Sequence, residues 1–554
     1  MKSLQLIYGL FVILLFSQCA KQSSPMGGPR DEDPPVQLEA NPADQSLNIK
    51  PSEIIITFDE YIKLDNPNKN IIITPRLNKD EIITTALKDR VIIELNQELE
   101  DNTTYVFNFQ NSIQDLSEGN PAENLKLVFS TGDFIDSLKV KGKINNYWPN
   151  QQYDARNVII GLYLENDTTD LFTAAPYYLT RADSLGEFQI ENIKEGSYKA
   201  YAWLDANNST KAEFKSEPYD FLKDTLEINK NLEGIQFNLS QSDLTDFRLT
   251  RSSFTNGSYD FILNKNQVEE NIQVQGLGEE IYYSTEDKRI RLFSTQSISD
   301  SLLVNLKLID SVSNQIDTTI WAKFPETERR PEKLSLTANS GKNFTDTLFA
   351  SLKFNKPVLN IRTDSLFIPV DSTTTIQIKE QMFSFKDSLK RTELLFRIPI
   401  PDTLGIEIFT LTAMDSTFRD IQGEYNEDPI RANYRKIKKE TLADLLSGTV
   451  AGAEPPFIIQ LIDAKNEVYK EQLVKNSKDF IFRGIEAGTY KIRVIEDKNG
   501  NGRWDPSNFY QERLAERVFY FLDDTGAIGA IILKSGWTNE GIIIQASKST
   551  GILE

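Results

Sequence analysis

The stretch Asp497-Lys498-Asn499-Gly500-Asn501-Gly502-Arg503-Trp504-Asp505 offers the densest run of metal-ligating oxygens in the chain. Oxygen-bearing side chains stand at its positions 1, 3, 5 and 9 (Asp497, Asn499, Asn501 and Asp505), with a glycine at position 6. Alternating oxygens can wrap a calcium ion while the glycine permits a sharp turn, so these four residues are candidate calcium ligands. Position 12, where a bidentate glutamate would complete such a loop, is Asn508. Two of the four ligands are neutral amides, so the expected affinity lies near the millimolar range of extracellular modules. Asn499-Gly500 and Asn501-Gly502 are also strong turn formers that need no metal. An earlier stretch keeps Asp205, Asn207 and Glu213 at the matching positions but has Thr210 in place of the glycine.

Other chemistry is narrowed by what the chain lacks. It contains no histidine, the usual general acid or base near neutral pH and the commonest metal ligand. Ser-His-Asp and Cys-His hydrolysis are thereby excluded, and with a single cysteine so are ordinary zinc sites. No phosphate-binding glycine loop is present. Carboxylate pairs, or Ser/Thr with Lys, remain open, and an acidic chain supplies such pairs by chance. A net charge of −20 argues against nucleic acid as a partner, because nothing basic is left over to neutralise phosphates. Trp148, Tyr153, Trp203, Trp504 and Trp537 could stack on sugar rings, although tryptophan is more often packed inside.

The one cysteine, Cys19, follows a short positive start (Lys2) and a nearly unbroken apolar run from Leu4 to Phe16. The run is short for a membrane span and fits a signal-peptide core. Phe16-Ser17-Gln18-Cys19 resembles a lipobox, in which the cysteine receives the diacylglyceryl group, with Gln18 departing from the usual small residue. Cys19 is therefore expected to be lipidated, several acyl chains giving stable attachment. Residues 1–18 form the signal peptide, and the Pro/Gly-rich residues 19–35 a flexible tether.

Everything that must position these residues reads as strand. Ile54 to Phe58, Val91 to Leu95, Tyr105 to Phe109 and Leu125 to Phe129 are apolar or alternating runs rich in β-branched and aromatic residues. The nearest thing to an amphipathic helix, Ile437 to Leu446, falls where a linker is expected. An all-β chain of 554 residues should divide into several sandwiches of about 100 residues each.

Two internal repeats set the order of domains. Phe188, Ile193, Gly196, Tyr198, Lys199, Asp205 and Asn207 recur in register as Phe480, Ile485, Gly488, Tyr490, Lys491, Asp497 and Asn499. This pattern resembles the transthyretin-like modules related to the carboxypeptidase regulatory domain. Thr57-Phe58-Asp59-Glu60 corresponds to Lys353-Phe354-Asn355-Lys356, and Gln114-Asp115-Leu116 to Arg419-Asp420-Ile421. These segments are similar to S-layer-type bacterial Ig-like domains. The resemblance implies an Ig-like domain over 36–133, a transthyretin-like sandwich over 136–241, and Ig-like domains over 243–326 and 331–435. A second transthyretin-like sandwich would occupy 441–546. With Gly27-Gly28-Pro29-Arg30-Asp31 after the cysteine, the whole resembles lipid-anchored Ig-domain proteins of the Bacteroidota. That resemblance brings no enzymatic activity. It implies a structural or protein-interaction scaffold on the outer membrane, held by its lipid anchor, with other envelope proteins or glycans as partners. The alternative is a carbohydrate-binding or carboxylate-pair glycoside-processing lipoprotein. Ala20 to Ser24 lack the acidic residues expected after the cysteine of a surface-exported lipoprotein, which favours the periplasmic face.

Asp-Ser or Asp-Thr followed by an apolar residue or Thr is frequent, as in Asp183-Ser184-Leu185 and Asp387-Ser388-Leu389. These resemble the O-glycosylation sequon of exported Bacteroidota proteins, while Asp at such positions also starts turns.

Overall fold

The computed structural model describes residues 32–146, 148, 153–275, 281–296, 298–547 and 551–552. Cys19, the apolar run before it and most of the tether lie outside the described residues. Among those described, no helix is long and apolar enough to cross a membrane. The chain is all-β, a tandem series of β-sandwiches with only short helical turns between strands.

Apart from two smaller clusters beside the second and fifth, the buried apolar side chains of the described residues gather in five large cores. They run from Ile54 to Phe129, Val140 to Leu239, Phe247 to Phe324, Leu334 to Tyr434 and Ala443 to Ile544. Alternation builds each of them. In Glu53–Phe58 the side chains of Ile54, Ile56 and Phe58 point inward while Glu53 is exposed, as a period of two requires. The strands around Ile54–Phe58, Val91–Leu95, Tyr105–Phe109 and Leu127–Phe129 form where the sequence places them.

The second and fifth sandwiches share one topology. In the second, Leu138–Asn146 lies between Glu187–Ile193, antiparallel, and Leu232–Leu239, parallel. In the fifth, Leu442–Ala451 lies likewise between Asp479–Glu486 and Thr538–Gln545. The repeated motif now has physical content. Tyr198 donates its hydroxyl to the carbonyl of Lys194 at 2.8 Å, and Tyr490 does the same to Glu486 at 2.9 Å. Gly196 and Gly488 precede these tyrosines because the ring two residues on covers them, leaving about 3.4 Å for any Cβ. Gly142 and Gly448 are tighter still: a Cβ there would run into the carbonyls of Ile235 and Ile542 and the rings of Phe188 and Phe480.

Ile437 to Leu446 is no helix; a single turn at Lys439–Thr441 leads straight into the strand Leu442–Ala451. The helical look comes from the three-residue step between buried Ala443 and Leu446, in a strand whose register with Thr538–Gln545 shifts just after Leu446.

The third and fourth sandwiches each contain a buried cation that the sequence motif did not disclose. Lys265 meets Asp310 at 2.6 Å and donates to the carbonyl of Asp243 at 2.9 Å. Lys356 pairs with Asp420, both side chains fully buried, and reaches the side-chain oxygen of Gln422 at 3.2 Å. The free oxygen of each carboxylate caps a turn. Asp310 accepts from the N–H groups of Val312 and Asn314, and Asp420 from those of Gln422 and Glu424. Lysine at the end of one strand is thus clasped to the aspartate turn at the end of another.

Candidate functional site and the junction it fills

The four expected ligands converge on a single turn. The strand Gly488–Glu496 delivers Asp497, whose two oxygens accept the N–H groups of Asn501 (3.0 Å) and Gly502 (2.9 Å). Gly500 and Gly502 take positive φ (72° and 77°), which is why glycine stands at both. Asn499 and Asn501 turn their amide nitrogens towards Asp505, Asn501 at 2.8 Å, and Arg503 donates to the same carboxylate at 3.1 Å. The carboxylates are therefore already satisfied by N–H donors. A cation could be held only if both amides rotated to present oxygen, breaking their bonds to Asp505. Among the described residues, no three acidic side chains come close enough together to hold a metal ion.

A fifth residue, which spacing did not single out, organises the loop. Glu516 accepts the N–H of Lys498 at 2.8 Å through one oxygen and that of Asp505 at 2.9 Å through the other. Burial pushes its carboxyl up to about 7; the two N–H bonds oppose the rise, and the Asp505 and Asp497 charges add to it. The second sandwich repeats the device. Glu217 accepts the N–H groups of Ala206 (2.8 Å) and Glu213 (2.9 Å), the same two loop positions. Asn207 likewise donates to Glu213 at 3.0 Å, as Asn499 does to Asp505. The signal was within reach: Glu217 and Glu516 both stand just before the strand that follows the loop, but loops of different length put them out of register.

A neighbouring strand supplies a charge to one loop and not to the other. Asp205 pairs with Arg181 at 3.0 Å, deep in the structure. Ile159 pairs across its sheet with both Arg181 and Trp203, and Ile458 pairs with both Leu473 and Ile495. Leu473 thus holds the matching place in the fifth sandwich.

Residues 503–517 then leave the loop and fill a junction between sandwiches. The hydroxyl of Tyr219 donates to the carbonyl of Ser507 at 3.2 Å, and the hydroxyls of Ser240 and Ser507 meet at 2.9 Å. The Phe509 ring lies edge-on to Phe172 (5.4 Å), Tyr201 (5.5 Å) and Phe221 (5.4 Å), all from the second sandwich. Asn508 donates to the carbonyl of Val312 at 2.8 Å, and Arg513 to the hydroxyl of Ser313 at 2.6 Å, which brings in the third sandwich.

The candidate sugar-stacking aromatics are mostly spent on packing. Trp203 is fully buried. Trp148 and Trp504 pack edge to face at 5.0 Å, with the Arg493 guanidinium 4.8 Å above Trp148. Tyr153 is half-buried against the second core. Trp537 is 47% exposed, with the Lys534 ammonium 4.6 Å from its ring.

Comparison with known proteins gives matches to parts of the chain. Residues 31–131 match the bacterial Ig-like domain family, and residues 155–209 match domain II of polysaccharide lyase family 4. No curated protein matches. Among solved structures, BcpA, the major pilin subunit of Bacillus cereus, is 10% identical over 74% of this chain and 100% of its own (TM-score 0.14). The surface layer protein SbsC, domains 1–6, is 10% identical over 84% of this chain and 65% of its own (TM-score 0.16). SGBP-B of a Bacteroides ovatus mixed-linkage glucan utilization locus, in complex with a heptasaccharide, is 11% identical over 66% and 87% (TM-score 0.17). The first sandwich is accordingly similar to bacterial Ig-like domains, within a chain that is β-sandwich throughout.

Proposed function

We propose that this chain is a non-enzymatic, lipid-anchored protein of the cell envelope, a structural or protein-interaction scaffold whose tandem sandwiches form a braced body. The junction at residues 503–517 carries the reading. A chain of sandwiches joined only end to end would bend at each linker. Here the fifth sandwich is stitched to the second and third by side chains from three domains. Such bracing suits a part that must hold its shape while it presents surfaces to partners. Lipidation of Cys19 would fix the body to the outer membrane, and the periplasmic face is our preferred side. The second and fifth sandwiches we assign to the transthyretin-like modules that their shared motif resembles.

Fractionation of cells tests the anchor: the native chain should stay with the outer membrane and a Cys19→Ser variant should be released. Protease added to intact cells should leave a periplasm-facing chain whole. Crosslinking in intact cells should capture an envelope protein beside it.

A second reading, carbohydrate handling, draws support from the match of residues 155–209 to a polysaccharide lyase domain and from the exposed ring of Trp537. A glycan array with a hydrolysis assay beside it separates the two: robust sugar binding or cleavage would overturn the scaffold reading.

A further inference from the structure

The first and second sandwiches enclose a cleft of about 450 Å³, within the range of small-molecule pockets. Its floor is apolar, built by Ile71, Ile73, Leu77 and Ile82 from the first sandwich and Leu179 from the second. Cations line it: Lys69, Arg76 and Lys79 from one side, Lys211 and the buried Arg181 from the other. Asp80 is the one carboxylate in the lining.

The walls are fixed relative to each other before any ligand arrives. The N–H of Arg76 donates to the carbonyl of Tyr177 at 2.8 Å, and the Tyr177 hydroxyl donates to Glu100 at 2.6 Å. Lys126 of the first sandwich and Lys139 of the second converge on Glu191, each at 2.9 Å. Binding would therefore not have to order the cleft.

Its charges are only partly balanced. Arg181 is taken by Asp205 at 3.0 Å, and Arg76 faces Asp167 at 3.6 Å. Lys79 donates to the carbonyl of Asn68 at 2.8 Å, and Lys69 lies within electrostatic reach of Asp154. Among the described residues, neither Lys79 nor Lys211 forms an ion pair. Burial, and then the Arg181 guanidinium, lowers the pKa of Lys79, with Asp205 opposing. In a chain of net charge −20, cations gathered over an apolar floor repel one another until an anion joins them.

We propose that this cleft binds a small organic anion, its phosphate or carboxylate head held by Lys79 and Lys211 and its apolar body laid on the isoleucine floor. The site is separate from the scaffold role and stands or falls without it. Isothermal titration of the full chain in non-ionic detergent at low salt is the test. Phenyl phosphate and benzoate serve as probes of the two heads, inorganic phosphate as head alone and phenol as body alone. At least one of the two aryl anions should bind one to one, more tightly than inorganic phosphate or phenol, and more weakly as sodium chloride is added. The Lys79→Met/Lys211→Met double variant should lose about tenfold or more in affinity, the scale of a charge-assisted hydrogen bond. A Lys307→Met control on the exposed third sandwich should lose none. No binding of either aryl anion, binding as tight for phenol, or affinity unmoved both by salt and by the double variant would overturn the proposal.

Discussion

At the scale of single residues, buried charge does the most specific work. Lys356 and Asp420 are both fully enclosed, so each depends on the other to offset its desolvation. Removing one partner leaves an uncompensated charge inside the fourth sandwich. Lys356→Met should therefore destabilise that sandwich by about 3–5 kcal/mol, read as an earlier thermal or denaturant transition, while Lys356→Met with Asp420→Leu should recover much of the loss. Glu516 makes a different prediction. Its folded pKa, about 7, lies above its ordinary value of 4.5, so the folded chain binds more protons than the unfolded one between those limits. That contribution is full below pH 4.5 and disappears as pH rises through about 7. The stability difference between the native chain and Glu516→Gln should therefore shrink from pH 5 to pH 8, a trend that melting curves across that range will show. Little of this could be seen beforehand. The Asp-Leu/Ile turn was legible as a repeat, but its buried lysine partner was not, because a lysine in sequence looks like any solvated surface charge. The loop 497–505 was legible as a turn of converging oxygens. That Asn499 and Asn501 present nitrogen to Asp505 depends on amide orientation, which spacing does not encode.

At the scale of elements, glycine and aspartate place the strands. Gly448 lies where a parallel neighbour and the Phe480 ring leave no space for a methyl group. Gly448→Ala should cost about 1–3 kcal/mol through overpacking and register strain, measured as a lowered melting transition of the fifth sandwich. At several of the recurring Asp-Ser and Asp-Thr segments the aspartate closes a turn. Asp183 accepts the N–H groups of Leu185 and Glu187, and Asp387 those of Leu389 and Lys390. If turn closure is their whole purpose, the intact mass of the chain from its native cells will show no added sugar. Strands themselves were readable from alternation, as in Ile54, Ile56 and Phe58. The segment from Ile437 to Leu446 looks faintly helical only because Ala443 and Leu446, both buried, stand three residues apart in a strand.

At the scale of the whole molecule, the central feature is the return of the fifth sandwich to the second. Nothing in the sequence announces it, since the contacts join residues nearly three hundred positions apart and the participating side chains are ordinary aromatics and serines. Phe509→Ala should loosen the junction by about 2 kcal/mol and expose residues 503–517 to limited proteolysis without unfolding either sandwich. The most direct measurement uses the chain's scarcity of cysteine. The Ser240 and Ser507 hydroxyls are buried and 2.9 Å apart, one on the second sandwich and the other on the junction segment of the fifth. In a Ser240→Cys/Ser507→Cys variant, mild oxidation should close one internal disulfide, seen as faster migration on a non-reducing gel and the loss of both new thiols. Two thiols that stay free after oxidation and react with an alkylating agent in the native protein would contradict a braced scaffold.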